Sequence, residues 1–216
     1  MLKTTAMKNR YIIIFLLVTM TPVWGFQFGV KAGGNLSFLT MSKSQDNWKN
    51  DLSWQFGLSS SFPISRFWHL TPQIHLSNFR SQLAGRFEDN SLSWNLSRTQ
   101  IQLPLLFKWQ PLARKEGWQP VLMLGPQYIL NIASKCTFSF GGDKEESDVA
   151  EKFESNNFGF VWGIGLEIPI SKGSQTCLSL ELCYNHNFKN QIPINVYEIG
   201  EFKQNALSLM AGFSFL

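Results

Sequence analysis

The chain has 216 residues, 44% of them hydrophobic and 16% charged, with a formal net charge of +4. That length suits one domain, and the three cysteines, Cys136, Cys177 and Cys183, are too few for a disulfide scaffold. Of the 19 basic residues, Lys3, Lys8 and Arg10 fall in the first 25 positions, which hold no acid, so the rest is near neutral and gives no electrostatic case for a nucleic-acid partner.

Residues 1–25 read as a secretory signal peptide. A basic start is followed by an apolar run over 11–20 and then by Val23, Trp24 and Gly25, which places a small residue at the expected cleavage point. The run is shorter than the about 20 residues a transmembrane helix needs. Cleavage near Gly25 leaves 26–216 as the mature domain.

In that domain apolar residues recur with a period of two, which puts them on one face of a strand. In the first segment Phe26, Phe28, Val30, Ala32, Gly34, Leu36 and Phe38 alternate with Gln27, Gly29, Lys31, Gly33, Asn35 and Ser37. The second carries Leu52, Trp54, Phe56, Leu58 and Phe62; the third Trp68, Leu70, Pro72, Ile74 and Leu76, opposite His69, Gln73 and His75. The fourth carries Ile101, Leu103, Leu105 and Phe107, opposite Gln102 and Lys108. In the fifth, Leu122, Leu124, Pro126, Tyr128 and Leu130 share a face, but Val121 and Met123 blur the other. The sixth carries Phe158, Phe160, Trp162, Ile164, Leu166 and Ile168, opposite Glu167; the seventh Leu178, Leu180, Leu182 and Tyr184, opposite Cys177, Glu181 and Cys183. Leu207, Leu209, Ala211, Phe213 and Phe215 close the chain.

None of these apolar faces bears a charge. A Lys or Arg facing lipid at mid-bilayer costs about 2–4 kcal/mol, whereas a water-facing sheet tolerates charge freely. A soluble barrel with its apolar faces inward would show charge on its outer strand faces. The fold expected is therefore all-β: an eight-stranded antiparallel up-and-down transmembrane β-barrel in the outer membrane of a Gram-negative cell. Outer-membrane lipid surrounds such a barrel, and the barrel-insertion machinery is its partner during biogenesis.

Short connections near 63–66, 110–117 and 171–174 alternate with longer ones near 39–50, 78–91, 132–156 and 187–203. Barrels of this kind have short periplasmic turns and long external loops, so both termini are expected in the periplasm. Trp68, Trp109 and Trp118 flank the short turns as an interface girdle. Phe213 and Phe215 form the expected C-terminal insertion signal, although Leu216 follows them. Apolar parity changes near Arg98 and Thr99, from Leu92, Trp94 and Leu96 to Ile101 onward, which predicts a β-bulge or a hairpin above the membrane.

Residues 29–37 (GVKAGGNLS), 70–74 (LTPQI), 101–108 (IQLPLLFK), 124–126 (LGP), 158–165 (FGFVWGIG) and 180–185 (LELCYN) together resemble the PorT-like "porin family" of small outer-membrane barrels. The likeness spans nearly all of the mature chain, and it implies location and fold, with a secretion-apparatus accessory role for its name-giving member. Against the family pattern, Gln73 and Gln102 stand where acids are usual, and Cys183 where an Arg is. The resemblance thus implies an internal ion network that is partly neutralised here.

Lys31, Gln73, Gln102, Lys108, Glu167 and Glu181 are the expected polar network of the lumen. A plug of paired charges is favoured over a pore, because eight strands enclose a space barely wide enough for their side chains. His69 and His75 lie about 20 Å apart along one strand, too far to share a metal. His186 would need a loop Ser or Asp to act as a base, and no constellation supplies one. Cys177 and Cys183 are likewise too far apart on one strand to bridge, and a Cys136–Cys183 pairing stays open. No catalytic residue, metal or cofactor is expected. The long loops, including Phe138, Phe140 and the acidic run from Asp143, and further on Ile192 to Ile199, are the expected contact surface for a protein partner. The readings weighed are a non-enzymatic loop-presenting barrel, a PorT-like secretion accessory and a lipid-modifying enzyme.

Overall fold

The computed structural model describes residues 26–41, 48–87, 90–111, 117–140, 143–148, 156–170, 176–188 and 202–215. The expected signal peptide, residues 1–25, and the apolar segment 192–199 lie outside them. Eight long strands follow one another around the molecule: β1 (Gln27–Met41), β3 (Leu52–Pro63), β4 (Trp68–Phe87), β5 (Asn90–Trp109), β6 (Gln119–Phe140), β8 (Asn156–Pro169), β9 (Cys177–Asn187) and β10 (Phe202–Phe215). Two short strands, β2 (Trp48–Asn50) and β7 (Asp143–Asp148), pair with the upper parts of β4 and β6. Every pairing is antiparallel, and β1 with β10 closes the sheet into an eight-stranded barrel.

The period of two in the sequence becomes two faces. Phe56, Leu58, Ile74, Leu124, Phe158, Trp162, Ile164 and Leu209 are exposed on the outside, while Gln55, His75, Gln102, Gln127 and Glu181 are buried inside. This inversion of an ordinary soluble core is what a lipid-facing barrel requires, since the strands satisfy one another's backbone groups and present an apolar band about 25 Å tall. Register partners climb from Lys31 through Gly57, His75, Gln102 and Ile129 to Asn157. Lys31 is low on β1 and Asn157 near the top of β8, so the strands are tilted and staggered as closure demands.

One expectation changes. The segments 78–91 and 132–156 are not simple loops, because β4 and β5 stay paired up to Phe87 and Asn90, and β5 and β6 up to Leu92 and Phe140. With 20, 20 and 22 residues, these three strands form a wall that stands above the rest of the barrel. The bulge lies where the parity change points, between Thr99 and Gln100 in the β5–β6 register: β4–β5 pairing is unbroken past Arg98, and β6 has Ile132 left over between Asn131, opposite Gln100, and Ala133, opposite Thr99. Finally, Cys177 and Cys183 form no disulfide, which removes the Cys136–Cys183 pairing.

Candidate functional site: the barrel lumen

Four charged side chains from four strands meet in the lower lumen. Lys31 Nζ donates to both Glu181 oxygens at 2.7 Å, and Lys108 Nζ donates to Glu181 Oε1 at 2.7 Å. Lys108 also lies 3.7 Å from Glu167, whose Oε2 accepts a 2.8 Å bond from Gln110. Alternation points these residues inward, and the closed register brings β1, β5, β8 and β9 together across the lumen. The set is neutral overall, which offsets the several kcal/mol each ion would cost if buried alone. Glycines make the space: a Cβ at Gly212 would sit 2.6 Å from Lys31 Cγ, and one at Gly57 would overlap the His75 imidazole. Beside the ions, Leu106, Val121, Met123, Val161 and Cys183 form a buried apolar cluster, which accounts for the blurred inner face of the fifth predicted strand. Within it the Cys183 thiol donates to Met123 Sδ at 3.5 Å.

One level higher, neutral polar side chains circle the lumen. Asn35 is opposite Ser208, which accepts a 2.8 Å bond from Asn185. Gln127 donates to Asn187 at 3.2 Å, His75 is opposite Gln102, and Gln55 contacts His75 Nδ1 at 2.6 Å. Several polar atoms in this ring make no direct hydrogen bond to the protein: both amide atoms of Asn35 and the Oε1 atoms of Gln55, Gln102 and Gln127. Ordered water is the usual partner of such groups.

Of the expected lumen network, Lys31, Lys108, Glu167 and Glu181 come together. Gln73 and Gln102 are buried in the lumen, yet neither amide joins the ion cluster. Further polar residues belong to the lumen although the sequence reading does not place them in its network, among them Gln55, Gln127, and Arg98, which is 1% exposed on β5 between Phe79 and Ser134 in register. The available signal is their place on the polar side of their strands' alternation, which Arg98 shares with Gln100 and Gln102. Trp68 and Trp109 stack at 6.3 Å by the short turn of residues 64–67, and Trp118 is exposed next to the 110–117 turn. A second aromatic group, not expected from the sequence, lies towards the opposite rim as Tyr128–Phe158, Trp162–Tyr184 and Trp54–Phe56 pairs with centroids 5.0, 5.5 and 5.4 Å apart. Phe213 and Phe215 face outward on β10, opposite Val30 and Phe28. His186 packs edge-on against Phe188 at 5.5 Å. Among the described residues no group of three His, Cys, Asp or Glu side chains is placed to hold a metal.

A closed barrel with an apolar exterior and an ion-paired interior defines an integral outer-membrane protein. Residues 22–193 match the family model described as "Outer membrane protein beta-barrel domain", and the chain belongs to that family. Two solved structures, from Thermus thermophilus and Pseudomonas aeruginosa, agree on the fold. A major outer membrane protein from Thermus thermophilus is 13% identical with a TM-score of 0.52, over 88% of this chain and 99% of that one. OprG from Pseudomonas aeruginosa is 14% identical with a TM-score of 0.50, over 88% and 94%. Ail of Yersinia pestis, solved with a heparin analogue, is 14% identical with a TM-score of 0.43, over 88% and 99%. No curated protein matches the chain by sequence.

Proposed function

We propose that the protein is a non-enzymatic outer-membrane barrel with a plugged lumen, whose work is done by what it presents at the cell surface. The observation that carries this reading is the raised wall of β4, β5 and β6, strand-paired beyond the apolar belt. The paired Lys31, Lys108, Glu167 and Glu181 support a plug, since each ion's partner is another residue lining the lumen. Short turns at one end and the wall at the other favour periplasmic termini. Affinity capture from detergent-solubilised membranes should give a partner that is lost when residues 141–155 are replaced by a short turn. Cross-links confined to residues 112–116 and 171–175 would instead favour the PorT-like accessory reading, for which the sequence resemblance argues. A change in lipid A that depends on His186 would overturn the non-enzymatic reading.

A further inference from the structure

Outside the wall, just above the apolar belt, the surface chemistry changes within one or two residues. Leu76 and Ile101 are register partners on the outward face, and the next outward row up is Asn78, Thr99 and Ala133. The row above that is Arg80, Ser97 and Lys135, with Asp148 of β7 opposite Lys135. Arg80 and Lys135 are exposed. Arg80 Nε donates to Asn78 Oδ1 at 3.3 Å, and Asn78 Nδ2 donates to Ser97 Oγ and Thr99 Oγ1, each at 3.3 Å. The guanidinium is thus held by its Nε against a fixed polar surface rather than swinging free.

The bulge completes the row. Below it the odd positions of β6, such as Val121, Met123, Gln127 and Ile129, are buried in the lumen. The extra residue Ile132 reverses the parity, so that Ser134 is buried and Lys135 emerges outside next to Ser97. Re-aiming a side chain is a characteristic use of a bulge. Without it Lys135 would take the lumen-facing parity and Arg80 would lack a cationic neighbour across β5.

We propose that Arg80, Ser97 and Lys135 form a site for the phosphate of a lipid headgroup, seated where the lipid-facing belt ends. Continuity with that belt makes the occupant a lipid, because acyl chains lie along Leu76, Ile101 and Ile74 while the headgroup meets the row above. Two cations flanking a hydroxyl provide charge-assisted hydrogen bonds to phosphate oxygens, and basic residues at a membrane surface attract anionic headgroups. The proposal takes from the orientation given under Proposed function only the leaflet, which is then the outer one.

The test uses purified full-length barrel in detergent, with retained lipid read by native mass spectrometry. Bisphosphorylated lipid A is the probe, dephosphorylated lipid A the control and inorganic phosphate the competitor. Arg80→Gln and Lys135→Gln should each weaken binding by about fivefold, and the double variant by about twenty-five-fold. Arg66→Gln, in the turn at the opposite rim, should leave it unchanged, and all variants should keep heat-modifiable migration. Equal retention by the double variant, an equal loss with Arg66→Gln, or equal binding of dephosphorylated lipid A would each overturn the proposal. Full displacement by millimolar phosphate would overturn the lipid as occupant. Surface labelling of intact cells tests orientation separately, so a failed leaflet assignment is distinguishable from a failed site.

Discussion

Two levels of one lumen bury polar groups in different ways. In the lower level, Glu181 serves Lys31 and Lys108 at once at 2.7 Å, and Glu167, 3.7 Å from Lys108, brings the formal charges into balance. In the level above, Asn35, Gln55, Gln102 and Gln127 are neutral, and several of their amide atoms make no direct protein bond. The lower level is strong only as a set, because loss of one member strands the others as buried ions. The upper level degrades gradually, since a neutral group left unpaired costs about 1–3 kcal/mol. The first arrangement suits a closure that must hold, and the second a region that admits water.

The largest effect should come from Glu181→Gln, which strands Lys31 and leaves Lys108 with only the 3.7 Å contact to Glu167, and should cost about 3–5 kcal/mol. It would be read as a lowered thermal transition in detergent. Replacing Lys31, Lys108, Glu167 and Glu181 together with apolar residues should recover most of the loss, and no recovery would show that the cluster does not act as a unit. Gln73→Glu with Gln102→Glu places acids at positions that the ion cluster does not reach, and should destabilise by several kcal/mol. Adding Cys183→Arg should restore part of that, and an unchanged transition in the double variant would sink the idea of a neutralised network. Gly57→Ala should cost about 1–3 kcal/mol by overpacking against His75, and His75→Ser should relieve it. Trp68→Ala, which removes one stacked girdle ring, should be the mildest at about 1 kcal/mol, visible in the same thermal assay.

Much of the lower level is legible in the amino-acid sequence. The inward parity of Lys31, Lys108, Glu167 and Glu181 is readable because side-chain direction in a strand alternates residue by residue, a local rule that needs no partner. That they meet at one carboxylate is not readable, since it depends on the stagger of a closed sheet. The parity change near Arg98 is visible and marks the level of the bulge, but which strand carries the extra residue is not readable, because a bulge exists only between two strands. The alternation of Leu92, Trp94 and Leu96 allows a hairpin above the membrane, but the length of the wall is not readable, since its largely polar upper segments are paired only through the neighbouring strands.

Alternation and uncharged lipid faces are properties of each strand alone, so a barrel with an apolar outside and a polar inside is already written in the chain. Which buried charges pair, which side of the sheet Lys135 occupies, and how far β4, β5 and β6 rise emerge only when the strands are assembled. Those outcomes depend on register, which is set between strands when the sheet closes.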